Sequence, residues 1–134
     1  MKSGIVVLDA SVLVAIFKSE ADSRQITERI TSYDRRVLSA ATWLEAAIVC
    51  EGASAKGGGA ELDQIISDLT VEVISVSPEQ AVLAFEAFKR FGRGRRSKAS
   101  LNFGDCFVYA LAKELGAPLL FKGGDFAHTD LQPA

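Results

Sequence analysis

"IVVLDASVLVAIF", from Ile5 to Phe17, holds one carboxylate inside an otherwise apolar stretch. Ile5 to Leu8 is a continuous, β-branched-rich run of the kind found in strands buried on both faces. Ser11 to Phe17 reads as a short helix. Asp9 therefore falls where a buried strand hands over to a helix. An unpaired buried carboxylate is expensive, so Asp9 needs either the free N–H groups of the following helix or a cation.

The same alternation continues along the chain. A helix is predicted over Ala21–Thr31, a short strand over Val37–Ser39, and a helix from Thr42 to about Ala55 that "KGGG" (Lys56–Gly59) stops. Leu62, Ile65, Ile66 and Leu69 recur at i, i+3, i+4, i+7, which makes Ala60–Leu69 an amphipathic helix. "VEVISV" (Val71–Val76) alternates as a strand. Ser77 caps a helix with Pro78 at its first position and an apolar stripe of Val82, Phe85 and Phe88. Asn102 starts a helix that runs to Glu114 and ends at Gly116, and "PLLF" is a last short strand. Strands alternating with helices predict an α/β fold, a mostly parallel sheet with helices on both faces. "KGGG" neither follows a strand nor precedes a Lys-Ser/Thr pair, so it reads as a helix terminator rather than a phosphate loop.

The 134 residues, with no repeat and no long linker, predict a single domain over 1–134. With 15 Lys and Arg against 17 Asp and Glu, the net charge of −2 does not by itself announce a nucleic-acid partner. Cys50 and Cys106 lack metal-ligand spacing and read as buried thiols of a reducing compartment. Asp9 interrupts the first apolar stretch, no clean cleavage site follows, and no run approaches the ~18 apolar residues of a membrane span. A cytoplasmic protein with no membrane association is expected. One histidine, His128, can build neither a zinc cage nor a histidine-dependent triad, and is expected to lie exposed.

In open parallel sheets, sites form beyond the carboxyl ends of the strands. Asp9 follows the first strand, Glu45 lies near the start of the helix after the second, Asp105 lies in the first turn of the "NFGDCFVYALAKELG" helix, and Asp125 follows "PLLF". Each has a plain structural reading. Asp9 caps a helix; Thr42-Trp-Leu-Glu45 and Asn102-Phe-Gly-Asp105 fit capping boxes; Asp125 holds a turn. If the four converge, their mutual repulsion raises their pKa values and a divalent cation relieves it. Oxygen-only ligands favour Mg²⁺ or Mn²⁺. Metal-assisted hydrolysis of a phosphodiester is the chemistry that fits. "KRFGRGRRSK" (Lys89–Lys98) adds six cations in ten residues, and Arg93, Arg95, Arg96 and Lys98 are candidates for holding a phosphate backbone without reading sequence.

"LNFGDCFVYALAKELGAPLLFKGGDFAHTDL" (Leu101–Leu131) closely resembles the C-terminal half of the VapC-type toxins of the PIN-domain ribonuclease family. "VVLDASVLVAIF" resembles that family's first strand and acid, and "LSAATWLEAAIV" its second block, in the expected order over nearly the whole chain. The resemblance implies an α/β/α sandwich around a parallel sheet. It implies a Mg²⁺- or Mn²⁺-dependent endoribonuclease that blocks translation by cutting structured RNA such as tRNA or rRNA. A VapB-type antitoxin partner and a homodimer are implied as well. By resemblance Asp9, Glu45 and Asp105 match the core metal-binding acids, Asp125 a further acid, and Ser11 the hydroxyl residue two positions after the first acid. Where the family often has "GNDF" or "GDDF", this chain has Gly123-Gly124-Asp125-Phe126, so a ligand from the position before Asp125 is missing.

Two other readings stay open on the residues. The carboxylates serve as caps in a catalytically silent RNA- or protein-binding module, or Asp9 is the nucleophile of an aspartyl-phosphate phosphatase. The second lacks the Asp that such enzymes carry two residues on, where this chain has Ser11. Trp43, Phe103, Tyr109 and Cys106 lie in apolar helical patterns and are expected to pack, Tyr109 in the core or a dimer interface.

Overall fold

A computed structural model describes residues 2–134. The chain runs β1 (Lys2–Leu8), α1 (Ala10–Phe17), α2 (Ser23–Thr31), β2 (Tyr33–Ser39), α3 (Ala40–Ala53), α4 (Gly59–Asp68), β3 (Val71–Ile74), α5 (Pro78–Phe91), α6 (Phe103–Leu115) and β4 (Leu119–Leu120). The four strands form one all-parallel sheet in the order β3-β2-β1-β4. Past β4 the chain returns beside it, where Leu119 donates to the Gln132 carbonyl and Ala134 to the Leu119 carbonyl, each at 2.9 Å.

Side chains alternate across the sheet and split the core in two. Val6, Leu8, Leu38 and Leu120 face α1 to α4, meeting Val12, Leu13, Ile30, Ala46 and Leu62. Val7, Val37 and Leu119 face the other way, onto Ala84 and Ala87 of α5 and Val108 and Leu111 of α6. The central strands are buried on both faces, which is why they read as unbroken apolar runs. The α/β fold with helices on both faces is as the sequence predicts, and no helix among the described residues is long and apolar enough to cross a membrane.

Element ends depart from the expectation at every strand: β1 starts at Lys2 rather than Ile5, β4 is only Leu119–Leu120, and the departures at β2 and β3 are larger in consequence. β2 begins four residues early, with Tyr33, Asp34, Arg35 and Arg36 in the strand. Arg36 is held there because its guanidinium donates to the carbonyls of Ile30, Thr31 and Leu69, which close α2 and α4. Arg35 pairs with Glu72 of the neighbouring β3 at 2.5 Å. β3 ends at Ile74, before Val76, as an edge strand with Val73 exposed. The predicted caps of the last two helices form: Ser77 Oγ accepts from the Gln80 N–H, and Gly116 closes α6 in the left-handed conformation at φ 59°.

Leu111, fully buried between α6 and the sheet, should set a large share of stability. Leu111→Ala is expected to cost about 2–5 kcal/mol, seen as a lower urea midpoint with an unchanged slope.

Candidate metal centre

Parallel strands bring the residues beyond their carboxyl ends to one edge of the sheet. Asp9 follows β1, is buried, and donates its own N–H to the Leu120 carbonyl of β4 at 3.0 Å. It caps α1: Asp9 Oδ2 accepts from the Ser11 N–H at 3.1 Å and from the Ser11 hydroxyl at 2.5 Å. The Ser11 hydroxyl in turn accepts from the Lys122 N–H at 3.0 Å, so one small side chain ties the first acid to the loop after β4. Lys122 fastens that loop further, pairing with Glu20 at 2.6 Å and Asp22 at 3.0 Å.

Asp105 comes from the opposite helix layer. It is buried at the third position of α6 and completes the predicted capping box: its Oδ2 accepts from the Asn102 N–H and the Asn102 side chain accepts from the Asp105 N–H, both at 2.9 Å. Glu45 differs from expectation. α3 starts at Ala40 with Ser39 as its cap, so no Thr42–Glu45 box forms. Glu45 sits in the second turn of α3, half-buried, with its carboxylate against Gly104. Thr42 is left with a buried hydroxyl that has no hydrogen-bond partner among the described residues.

Asp9, Glu45 and Asp105 each feel the charge of at least one other acid. Burial pushes Asp105 up to about 6, and the charges of Asp9, Asp125 and Glu45 add to this against the lowering effect of the Asn102 N–H. Asp9 is raised by burial, which outweighs its bonds to Ser11, with the Asp125 charge adding to the rise. Glu45 is raised by burial and by the charge on Asp9. Asp125 itself lies exposed in the turn after β4, beyond Gly123 at φ 93°. The donor set is all oxygen, crowded and self-repelling, which suits a hard divalent cation. Among the described residues no three such side chains already close on one point. An ion held there would keep part of its water shell, as Mg²⁺ prefers.

Other expected positions divide. Arg93, Arg95, Arg96 and Lys98 lie exposed on the loop before α6. Arg95 is partly anchored, donating to the Lys89 carbonyl and lying over Phe88. Asp130 lies away from the acids, accepting from Tyr109 at 2.7 Å and Lys113 at 2.9 Å and pairing with Arg90. Burial raises Asp130, but Tyr109 and Lys113 outweigh it and hold it below the usual range. Tyr109 is buried, as expected, and His128 is exposed. Trp43 is half-buried with its indole N–H on Asp63 at 3.2 Å. Phe103 overturns its expectation: it is 81% exposed, on a face of α6 turned away from the core that buries Asp105 and Cys106, with its ring edge-on to Phe107.

The sign of the pH effect is set by Asp105. Its proton is held more tightly in the fold, at about 6, than at the ordinary 3.8. This contribution favours folding below about pH 4 and is lost as pH rises through about 6. Asp105→Asn keeps an acceptor for the Asn102 N–H and removes the charge. In metal-free protein it is expected to raise the melting temperature at pH 7 by several degrees and to flatten the decline between pH 4 and 7, read by thermal scans across that range.

The PIN domain family model matches residues 6–131. Ribonuclease VapC30 of Mycobacterium tuberculosis is 42% identical over 125 residues, covering 93% of this chain and 95% of the relative. Ribonuclease VapC of Mycolicibacterium smegmatis is 44% identical over 125 residues, covering 93% and 96%. Among solved structures, the sarcin-ricin loop cleaving toxin VapC20 of Mycobacterium tuberculosis superposes with a TM-score of 0.74 at 16% identity, over 96% of this chain and 99% of that one. The VapBC2 complex of Rickettsia felis, bound to a DNA fragment from its promoter, gives a TM-score of 0.74 at 16% identity, over 98% of each chain. A match over almost the whole length, in a fold whose sheet edge gathers the acids described above, places the chain in the PIN-domain family, within its VapC group.

Proposed function

We propose that this protein is a divalent-metal-dependent endoribonuclease, the toxin of a VapBC-type toxin–antitoxin pair, acting in the cytoplasm on structured RNA such as tRNA or rRNA. The observation that carries this is the gathering of Asp9, Glu45 and Asp105 from three separate elements at one edge of the sheet, where Asp9 raises the proton affinity of Glu45 and both raise that of Asp105. The relatives' names supply the reaction class, and VapBC structures of the same fold supply the kind of protein partner.

Asp9, Glu45 and Asp105 would hold the ion, with Asp125 contributing from the exposed turn. When bound, Mg²⁺ or Mn²⁺ offsets charge build-up on the scissile phosphate and makes a neighbouring water a better nucleophile. The residues of the chain do the rest. Ser11 fixes the orientation of Asp9 through two bonds to one carboxylate oxygen. The capping box fixes Asp105. A carboxylate of this set would orient the attacking water. The exposed Arg93, Arg95, Arg96 and Lys98 hold backbone phosphates. Without a cation the acids repel RNA, so RNA binding and metal loading are coupled.

A silent binding module is disfavoured by Glu45. Capping accounts for Asp9 and Asp105, but Glu45 caps nothing and is still held half-buried among like charges. The phosphatase reading meets Ser11 bonded to Asp9 where a second carboxylate is required. For the homodimer, the surface we assign is the groove of about 550 Å³ between α5 and α6. Phe85, Phe88 and Phe103 line it, Arg93 is its one charged residue, and such an apolar patch suits a protein partner better than a nucleic acid.

Three outcomes are expected. Asp105→Asn should remain folded by circular dichroism, lose Mn²⁺ binding in calorimetry, and no longer inhibit growth when expressed; a toxic Asp105→Asn variant contradicts the mechanism. Replacing Arg93, Arg95, Arg96 and Lys98 by Ala should weaken binding of a structured RNA and lower the slope of log K against log salt by about one for each phosphate no longer neutralised. Phe85→Glu should shift sedimentation from dimer to monomer without unfolding the chain.

A further inference from the structure

α6 opens Phe103-Gly104-Asp105. Glycine inside a helix is less stable than alanine, and Gly104 has no left-handed backbone to require it. Space is what excludes a side chain. A Cβ at 104 would stand 2.4 Å from Glu45 Oε2, 3.0 Å from Cδ and 3.2 Å from Oε1. The Glu45 carboxylate therefore lies on bare α6 backbone, next to Asp105 in sequence. Other crowded glycines differ: a Cβ at Gly58 would strike the Cys50 backbone, one at Gly92 the Phe88 carbonyl and ring, and one at Gly57, where a φ of 81° already favours glycine, would stand 2.8 Å from the Glu51 carboxylate. At Gly104 the nearest atoms met all belong to one acid of the metal centre, the movable end of a flexible side chain.

We propose that Gly104 is a positioning residue for the metal centre: its missing side chain is the seat that lets Glu45, from the α3 layer, place its carboxylate beside Asp105 on the α6 layer. The proposal rests on the metal-centre reading above. Both acids must reach one ion from opposite sides of the sheet edge, and a methyl group at 104 would push one of them away while leaving the fold intact.

The test compares wild type, Gly104→Ala, Glu45→Asp and the double variant, with Gly52→Ala as control, since a Cβ at Gly52 of α3 meets nothing within 4 Å. Gly104→Ala should melt no lower than wild type in the absence of metal, while its Mn²⁺ affinity in calorimetry falls about tenfold. Glu45→Asp, shorter by one methylene, should weaken binding in wild type yet strengthen it in the Gly104→Ala background, because the shorter acid clears the methyl group. In metal-free protein the ¹³C resonance of the Glu45 side-chain carboxyl should shift in Gly104→Ala and stay put in Gly52→Ala. Unchanged Mn²⁺ affinity in Gly104→Ala, or penalties that simply add in the double variant, overturns the proposal. If wild type binds no Mn²⁺, the metal-centre reading falls, and the Glu45 resonance alone decides the seat: an unmoved signal in Gly104→Ala removes it, a moved one retains it.

Discussion

All four strands run the same way, and that one constraint sets where everything else goes. A parallel sheet needs a crossover between successive strands, so helices cover both faces and the strands' carboxyl ends share an edge. At that edge the two helix layers part. β1 delivers Asp9 there, β2 delivers the start of α3 and so Glu45, and β4 delivers the loop with Asp125. Asp105 arrives from α6 on the far layer. The proposed centre lies where the sheet stops, and the apolar faces of the sheet provide the rigidity that keeps mutually repelling groups together.

The acids are held at a cost, and the fold limits it unevenly. Asp9 and Asp105 also work as helix caps, and the N–H groups they receive lower their proton affinity against burial. Glu45 has no such bond, and only the open backbone of Gly104 accommodates it. Two of the acids are therefore part of the local structure, and the third depends on a gap in another helix. A site built in this way holds like charges close together, a repulsion that the proposed cation would relieve.

The strand–acid–helix junction at Asp9 and the capping box at Asn102–Asp105 are legible in the sequence because both are local: an apolar run, a cap residue, and a spacing of three. The helix after β2 misleads because Thr42 and Glu45 have cap spacing too, yet Ser39 lies at the end of the strand and takes the cap first. β2 reads too short because its first half is charged, and only the carbonyls closing α2 and α4 explain how Arg36 stays in a strand. Phe103 and Gly104 are the hardest to read. Their roles depend on what α3 and the space around α6 present to them, and no periodicity within α6 encodes that.

Cys106, one residue past Asp105, is buried, and its thiol donates to the Asn102 carbonyl at 3.3 Å. Burial pushes its pKa up, and the Asp105 charge adds to the rise. Oxidants and alkylating agents attack thiolates, of which this sulfur offers few. Burial first, and the Asp105 charge second, thus hold the neighbouring sulfur in its less reactive thiol form.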